Sequence, residues 1–110
     1  MRLPPGAWSS QRHWHTGEDE FVYVLEGEVV LITDAGEEVL RAGDAAGFPA
    51  NDHNGHCLQN RSGRDVVALE IGSRAAGEVA HYSDIDMLAT GGSYTHRGGT
   101  PYPKAARRGP

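Results

Sequence analysis

An antiparallel all-β domain is the fold class this sequence predicts, on three observations. Short β-branched or aromatic runs recur between turn signals every 8 to 12 residues, the spacing of hairpin-linked strands. Helical periodicity is hard to find along the chain. Glycine supplies 15 of 110 residues, about twice the roughly 7% of an average protein, so many tight turns are needed.

The strands are expected near Ala7 to His15, Glu20 to Leu25, Glu28 to Thr33, Glu37 to Leu40, Ala45 to Phe48, His56 to Asn60 and Asp65 to Ile71. Between them lie Thr16-Gly17-Glu18-Asp19, Glu26-Gly27, Asp34-Ala35-Gly36, Ala42-Gly43-Asp44 and Arg61-Ser62-Gly63-Arg64, which carry the residues that hairpin turns use. Tyr82 to Leu88 is expected as a short helix or a closing strand. Residues 1–88 then form a single barrel domain, and residues 89–110 an extended or poorly ordered basic tail. In Glu20 to Leu25 alternate side chains point to opposite faces, with Val22 and Val24 on one and Phe21, Tyr23 and Leu25 on the other. A sheet apolar on both faces needs a second cover, and a homodimer packed sheet on sheet is expected to supply it.

Composition narrows the function. Mean hydropathy is −0.50 and no apolar run approaches the roughly 20 residues of a membrane span, so no membrane partner is expected. Net charge is −5, with all 15 acidic residues at or before Asp86 and Arg97, Lys104, Arg107 and Arg108 after it. An acidic body is a poor phosphate binder, and Trp8 and Trp14 fall on different parities and make no stacking platform, so no nucleic-acid partner is expected. The lone Cys57 excludes an internal disulfide, and the N-terminus lacks an apolar stretch of signal length. The cytoplasm is the expected compartment.

His13-Trp14-His15 places two imidazoles on one face of a strand, about 7 Å apart along it and close enough to chelate one ion. Glu20 follows across a turn and can return a carboxylate to the same ion. Glu18 and Asp19, inside the turn, compete for that role. His56 opens a strand whose alternation puts His56, Leu58 and Asn60 on one face, which makes it the candidate fourth ligand; His53, in the loop before it, is the alternative. Three imidazoles and one carboxylate suit a divalent transition ion such as Mn, Fe, Co, Ni, Cu or Zn, whereas Ca and Mg prefer oxygen ligands. Gln11 and Ser9 share the His13 face by parity and can orient substrate or water. Tyr82, His81 and His53 are weak candidates for acid or base. Phe48 and Val22 are expected to line the interior, and Cys57 to point away from the ion.

These residues resemble the motifs of the cupin superfamily. Gly6, His13, His15, Glu20 and Gly27 follow its first motif, and Gly43, Pro49, His56 and Asn60 keep the ends of its second, with Asn51 where a glycine is expected and a longer loop before His56. The resemblance covers about Gly6 to Ile71 and implies a double-stranded β-helix, a small jelly-roll barrel with the metal inside. EDEFVYVLEGE, NGHCLQNRS and LEIGSR are similar to a group of small bacterial cupins whose members carry residues ahead of the stretch matching Arg2 to Gly6; either a truncation or a naturally short start is expected here.

The function expected is a metal-dependent enzyme acting on a small oxygenated or acidic molecule. Either a redox-active ion gives a dioxygenase, or the ion acts as Lewis acid in isomerisation, decarboxylation or lyase chemistry. The competing expectation is a non-catalytic barrel that binds or senses a small ligand around a structural metal.

Overall fold

The computed structural model describes residues 1–103. Its strands, in chain order, are β1 (Arg2–Leu3), β2 (His13–His15), β3 (Glu20–Glu26), β4 (Glu28–Thr33), β5 (Gly36–Arg41), β6 (Ala45–Phe48), β7 (Cys57–Gln59), β8 (Val66–Gly72), β9 (Val79–Tyr82), β10 (Leu88–Thr90) and β11 (Ser93–Thr95). They form three antiparallel sheets ordered β1-β8-β3-β6, β11-β10-β9-β2 and β5-β4-β7. None of the described residues belongs to a helix, so no helix is long and apolar enough to cross a membrane.

Alternation decides which side chains enter the core. Val22 and Val24 of β3 and Val29 and Leu31 of β4 are buried with Leu3, Leu40, Leu58, Val66 and Ala68. Their neighbours Phe21, Tyr23 and Leu25 stand on the outside. The turn between β3 and β4 requires Gly27: its φ is +88°, and a Cβ there would sit 2.7 Å from the Asp65 carbonyl oxygen. At Asn51 the chain also turns left-handed, with φ of 59°. Asparagine tolerates that conformation better than most residues, so the replacement of the expected glycine keeps the backbone path.

Three segments depart from expectation. The strand expected over Ala7 to His15 is regular only at His13–His15. Upstream, Ser9 Oγ accepts the Leu58 N–H at 2.9 Å and Ser10 Oγ donates to the Gln11 carbonyl at 2.9 Å. Serine hydroxyls here take backbone groups that a ladder would use, and the chain bends. Tyr82 to Leu88 forms neither a helix nor one strand; it connects β9 to β10, tied by an Ile85 carbonyl that accepts the Met87 N–H. Beyond Leu88 the chain is not simply extended, because β10 and β11 pair as a hairpin that continues the β2–β9 sheet. Lys104, Arg107 and Arg108 of the expected basic tail lie outside the described residues.

Candidate metal centre

Pairing of distant segments brings the imidazoles together. His13 and His15 project from β2 on one face, with ring centroids 4.9 Å apart. His13 and His56 exchange backbone hydrogen bonds, His13 N–H to the His56 carbonyl at 3.1 Å and the reverse at 3.0 Å, which sets their rings 4.9 Å apart. Glu20, the first residue of β3, is registered between Phe48 of β6 and Gly72 of β8. Its carboxylate meets all three rings: His13 Nε2 is 3.5 Å and His15 Nε2 in contact with Oε1, while His56 Nε2 is 3.3 Å from Oε2. The four side chains are between 6% and 23% exposed and line a cavity of about 330 Å³ together with Ser9 and Glu70.

Each ring is held by a different device. His13 Nδ1 lies 2.9 Å from the Gln11 carbonyl, which only accepts, and 3.1 Å from Ser10 Oγ, and this holds the ring with its Nε2 toward Glu20. His56 lies flat on Phe48, centroids 3.6 Å apart and planes 4° from parallel. His15 Nδ1 has no aligned hydrogen bond and one charged neighbour, Glu78 Oε2, at 3.3 Å. Glu78 went unnoticed in the sequence, where a single glutamate ahead of β9 carries no motif.

Electrostatics at this cluster are strongly perturbed. For Glu20, burial alone would raise the carboxyl, but hydrogen bonds from His13, His15 and His56 outweigh it and hold the group well below the usual carboxylate range. His15 is raised to about 9, chiefly by its hydrogen bond to Glu20, against burial and with support from Glu78. Despite these contacts Glu20 Oε1 is buried without a properly aligned hydrogen-bond donor, as is Nδ1 of His56 without a partner. A bare imidazole nitrogen facing a carboxylate oxygen is repulsive unless a cation lies between them. His13, His15 and Glu20 offer ligand atoms within 4.8 Å of one another, a set that can hold a metal ion, and the nitrogen-rich donors fit a divalent transition metal.

The other expected residues fall elsewhere. His53 is exposed and stacks on Trp14 at 4.0 Å, with His81 on the indole's other neighbouring contact at 4.2 Å, so His53 does not join the cluster. Gln11 is exposed and does not line the cavity, since the bend before His13 breaks the parity on which that expectation stood; its carbonyl rather than its side chain serves the site. Tyr82 sits 5.5 Å from His13 but borders a different cleft with Arg12 and Arg97, and burial raises its phenol. Ser9 and Val22 line the cavity. Cys57 is 1% exposed, and burial pushes its thiol up. Asn60, equally buried, is a clamp instead of a cavity residue: Nδ2 donates to the Leu3 and Arg64 carbonyls and Oδ1 accepts from Ser62.

Comparison with known proteins agrees with this fold. The cupin domain model matches residues 1–72. An oxalate-binding protein of Thermotoga maritima is 32% identical over 71 residues, 64% of this chain and 56% of the relative, so the chain spans little more than half of that protein's length. A crystal structure described as a sugar phosphate isomerase of the cupin superfamily, from Silicibacter pomeroyi, superposes with a TM-score of 0.87 at 44% identity, covering 93% of this chain and 68% of that one. A putative sugar phosphate isomerase from Acidithiobacillus ferrooxidans gives 0.76 at 29% identity, covering 86% and 61%. With the match spanning residues 1–72, well over half of the chain, the chain belongs to the cupin domain family and has its jelly-roll fold.

Proposed function

We propose that this cupin is a metal-dependent enzyme in which His13, His15, Glu20 and His56 hold one divalent transition ion and a small oxygenated substrate is isomerised. The observation that carries the reading is the meeting of three imidazole Nε2 atoms on one half-buried carboxylate inside an open cavity. When bound, such an ion supplies Lewis acidity that polarises a carbonyl or hydroxyl oxygen. The chain's own residues do the remainder. Phe48 shields one face of His56 from water, and the cavity admits a small molecule beside the ligands. Glu18 and Glu70 line the same space and offer carboxylates to take up and return a proton. The likeness to the Silicibacter pomeroyi protein favours isomerisation over dioxygenase chemistry.

The test is turnover of a panel of small aldoses, ketoses and their phosphates in D₂O, followed by NMR. Isomerisation with solvent deuterium uptake, abolished by a chelator and restored by a divalent ion including redox-inert Zn, is the expected result. Activity restored by Fe but not Zn would move the reading to the dioxygenase. Saturable binding without turnover would favour the second reading, a non-catalytic small-ligand binder, for which the oxalate-binding relative speaks.

Two further parts belong to this proposal. The molecule is a homodimer that covers the outer apolar face of β3 and β8, and it resides in the cytoplasm, where a free buried Cys57 is at home.

A further inference from the structure

Outside the four ligands, a charged group that stands against one of them is Glu78, just before β9. Its two carboxylate oxygens do different things. Oε1 accepts the backbone N–H groups of Gly17 at 3.1 Å and Glu18 at 3.2 Å, inside the turn that joins His15 to Glu20. Oε2 stands 3.3 Å from His15 Nδ1. The side chain is 14% exposed. One carboxylate thus spans a ligand ring and the connection between two ligands.

We infer that Glu78 is a positioning residue of the metal centre: once an ion takes His15 Nε2 from Glu20, Glu78 Oε2, 3.3 Å away, accepts the proton left on Nδ1, while its Oε1 fixes the turn that sets the spacing of His15 and Glu20. This rests on the metal-binding reading above for its purpose, but not for its geometry. An ionised carboxylate accepts and cannot donate, so it stabilises the Nδ1–H tautomer. His13 Nδ1 is held by the Gln11 carbonyl, so β2 aims its two Nε2 atoms at the site by two different means. Carboxylate support of a ligating imidazole also raises its basicity toward a metal.

Glu78→Gln separates positioning from bulk structure. The amide oxygen can still accept from Gly17 and Glu18, but the amide nitrogen then faces His15 Nδ1 and cannot accept its proton. Two measurements read this. In zinc-loaded protein, where Nε2 is taken by the ion, the His15 Nδ1–H resonance is expected far downfield and slow to exchange in the parent, and to lose both features in Glu78→Gln. Zinc affinity by chelator competition is expected to fall roughly 10- to 100-fold in the variant, with one ion bound per chain in both.

A zinc-loaded parent whose His15 Nδ1–H exchanges as freely as an exposed imidazole overturns the inference whether or not the variant folds. So does an unchanged Nδ1–H signal or an unchanged affinity in folded Glu78→Gln. Loss of a second bound ion instead of weaker binding of the first would make Glu78 a ligand and overturn it too. His56→Ala serves as the reference for the broader reading: if it keeps full zinc affinity, the four-ligand centre fails, and the Nδ1–H measurement still decides the role of Glu78.

Discussion

At the scale of single residues, His53 and His56 separate the site from its surroundings. His56 Nε2 faces Glu20 while His53 lies on Trp14. His56→Ala is expected to lower metal affinity by more than the roughly 10- to 100-fold that removal of a supporting residue costs, and His53→Ala to leave it unchanged, both read by chelator competition. The opposite ranking would make His53 the fourth ligand in place of His56. Asn60 belongs to stability: Asn60→Ala strips the Leu3 and Arg64 carbonyls of their side-chain donor and is expected to cost about 1–3 kcal/mol in urea unfolding without changing metal content. The ligand residues were legible because their types and spacing carry the chemistry. Glu78 and the true role of Asn60 were not, because both depend on contacts between segments that the local pattern does not join.

Among the elements, β3 was legible because its alternation is strong, and β4 and β8 because their β-branched and aliphatic runs lie between turn residues. The two residues of β1 and the mixed Val79–Tyr82 of β9 have too little pattern to stand out, and β9 becomes a strand by pairing with β2. The junction of β2 with the β9–β10 connection hangs on Arg12, whose guanidinium makes a two-pronged pair with Asp84 at 2.9 Å and reaches Asp34 and the Gly55 carbonyl. Hydrogen bonding to Arg12 lowers the Asp84 carboxyl, so its stabilisation is complete above the usual carboxylate value and is lost as pH falls through the lowered one. On acidification, amide exchange is therefore expected to quicken in β9 and β10 before it does in β3 and β4; simultaneous loss would contradict this. At Gly55 a Cβ would lie 1.9 Å from Ser83 Oγ, and Gly55→Ala is expected to disturb His56 and weaken metal binding through the same junction.

For the whole molecule, the sheet carrying Glu20 is apolar on both faces, as its alternation predicts. Phe21 pairs with Ile71 and Tyr23 with Leu69 on the outer side, and all four, with Leu25, are between 37% and 59% exposed. A monomer rarely leaves so contiguous an apolar surface in water. Sedimentation is expected to give twice the 11.8 kDa of one chain, and Phe21→Glu with Ile71→Lys to return monomers; a parent protein that sediments as a monomer would remove the dimer.

All of the proposed chemistry depends on one ion reached from β2, β3 and the residue before β7. X-ray absorption at the zinc edge of protein carrying one equivalent of zinc tests that directly. Three imidazole nitrogens at about 2.0–2.1 Å with oxygen completing the shell is the predicted result. A shell with fewer than three imidazoles, or protein that retains no zinc, would contradict it.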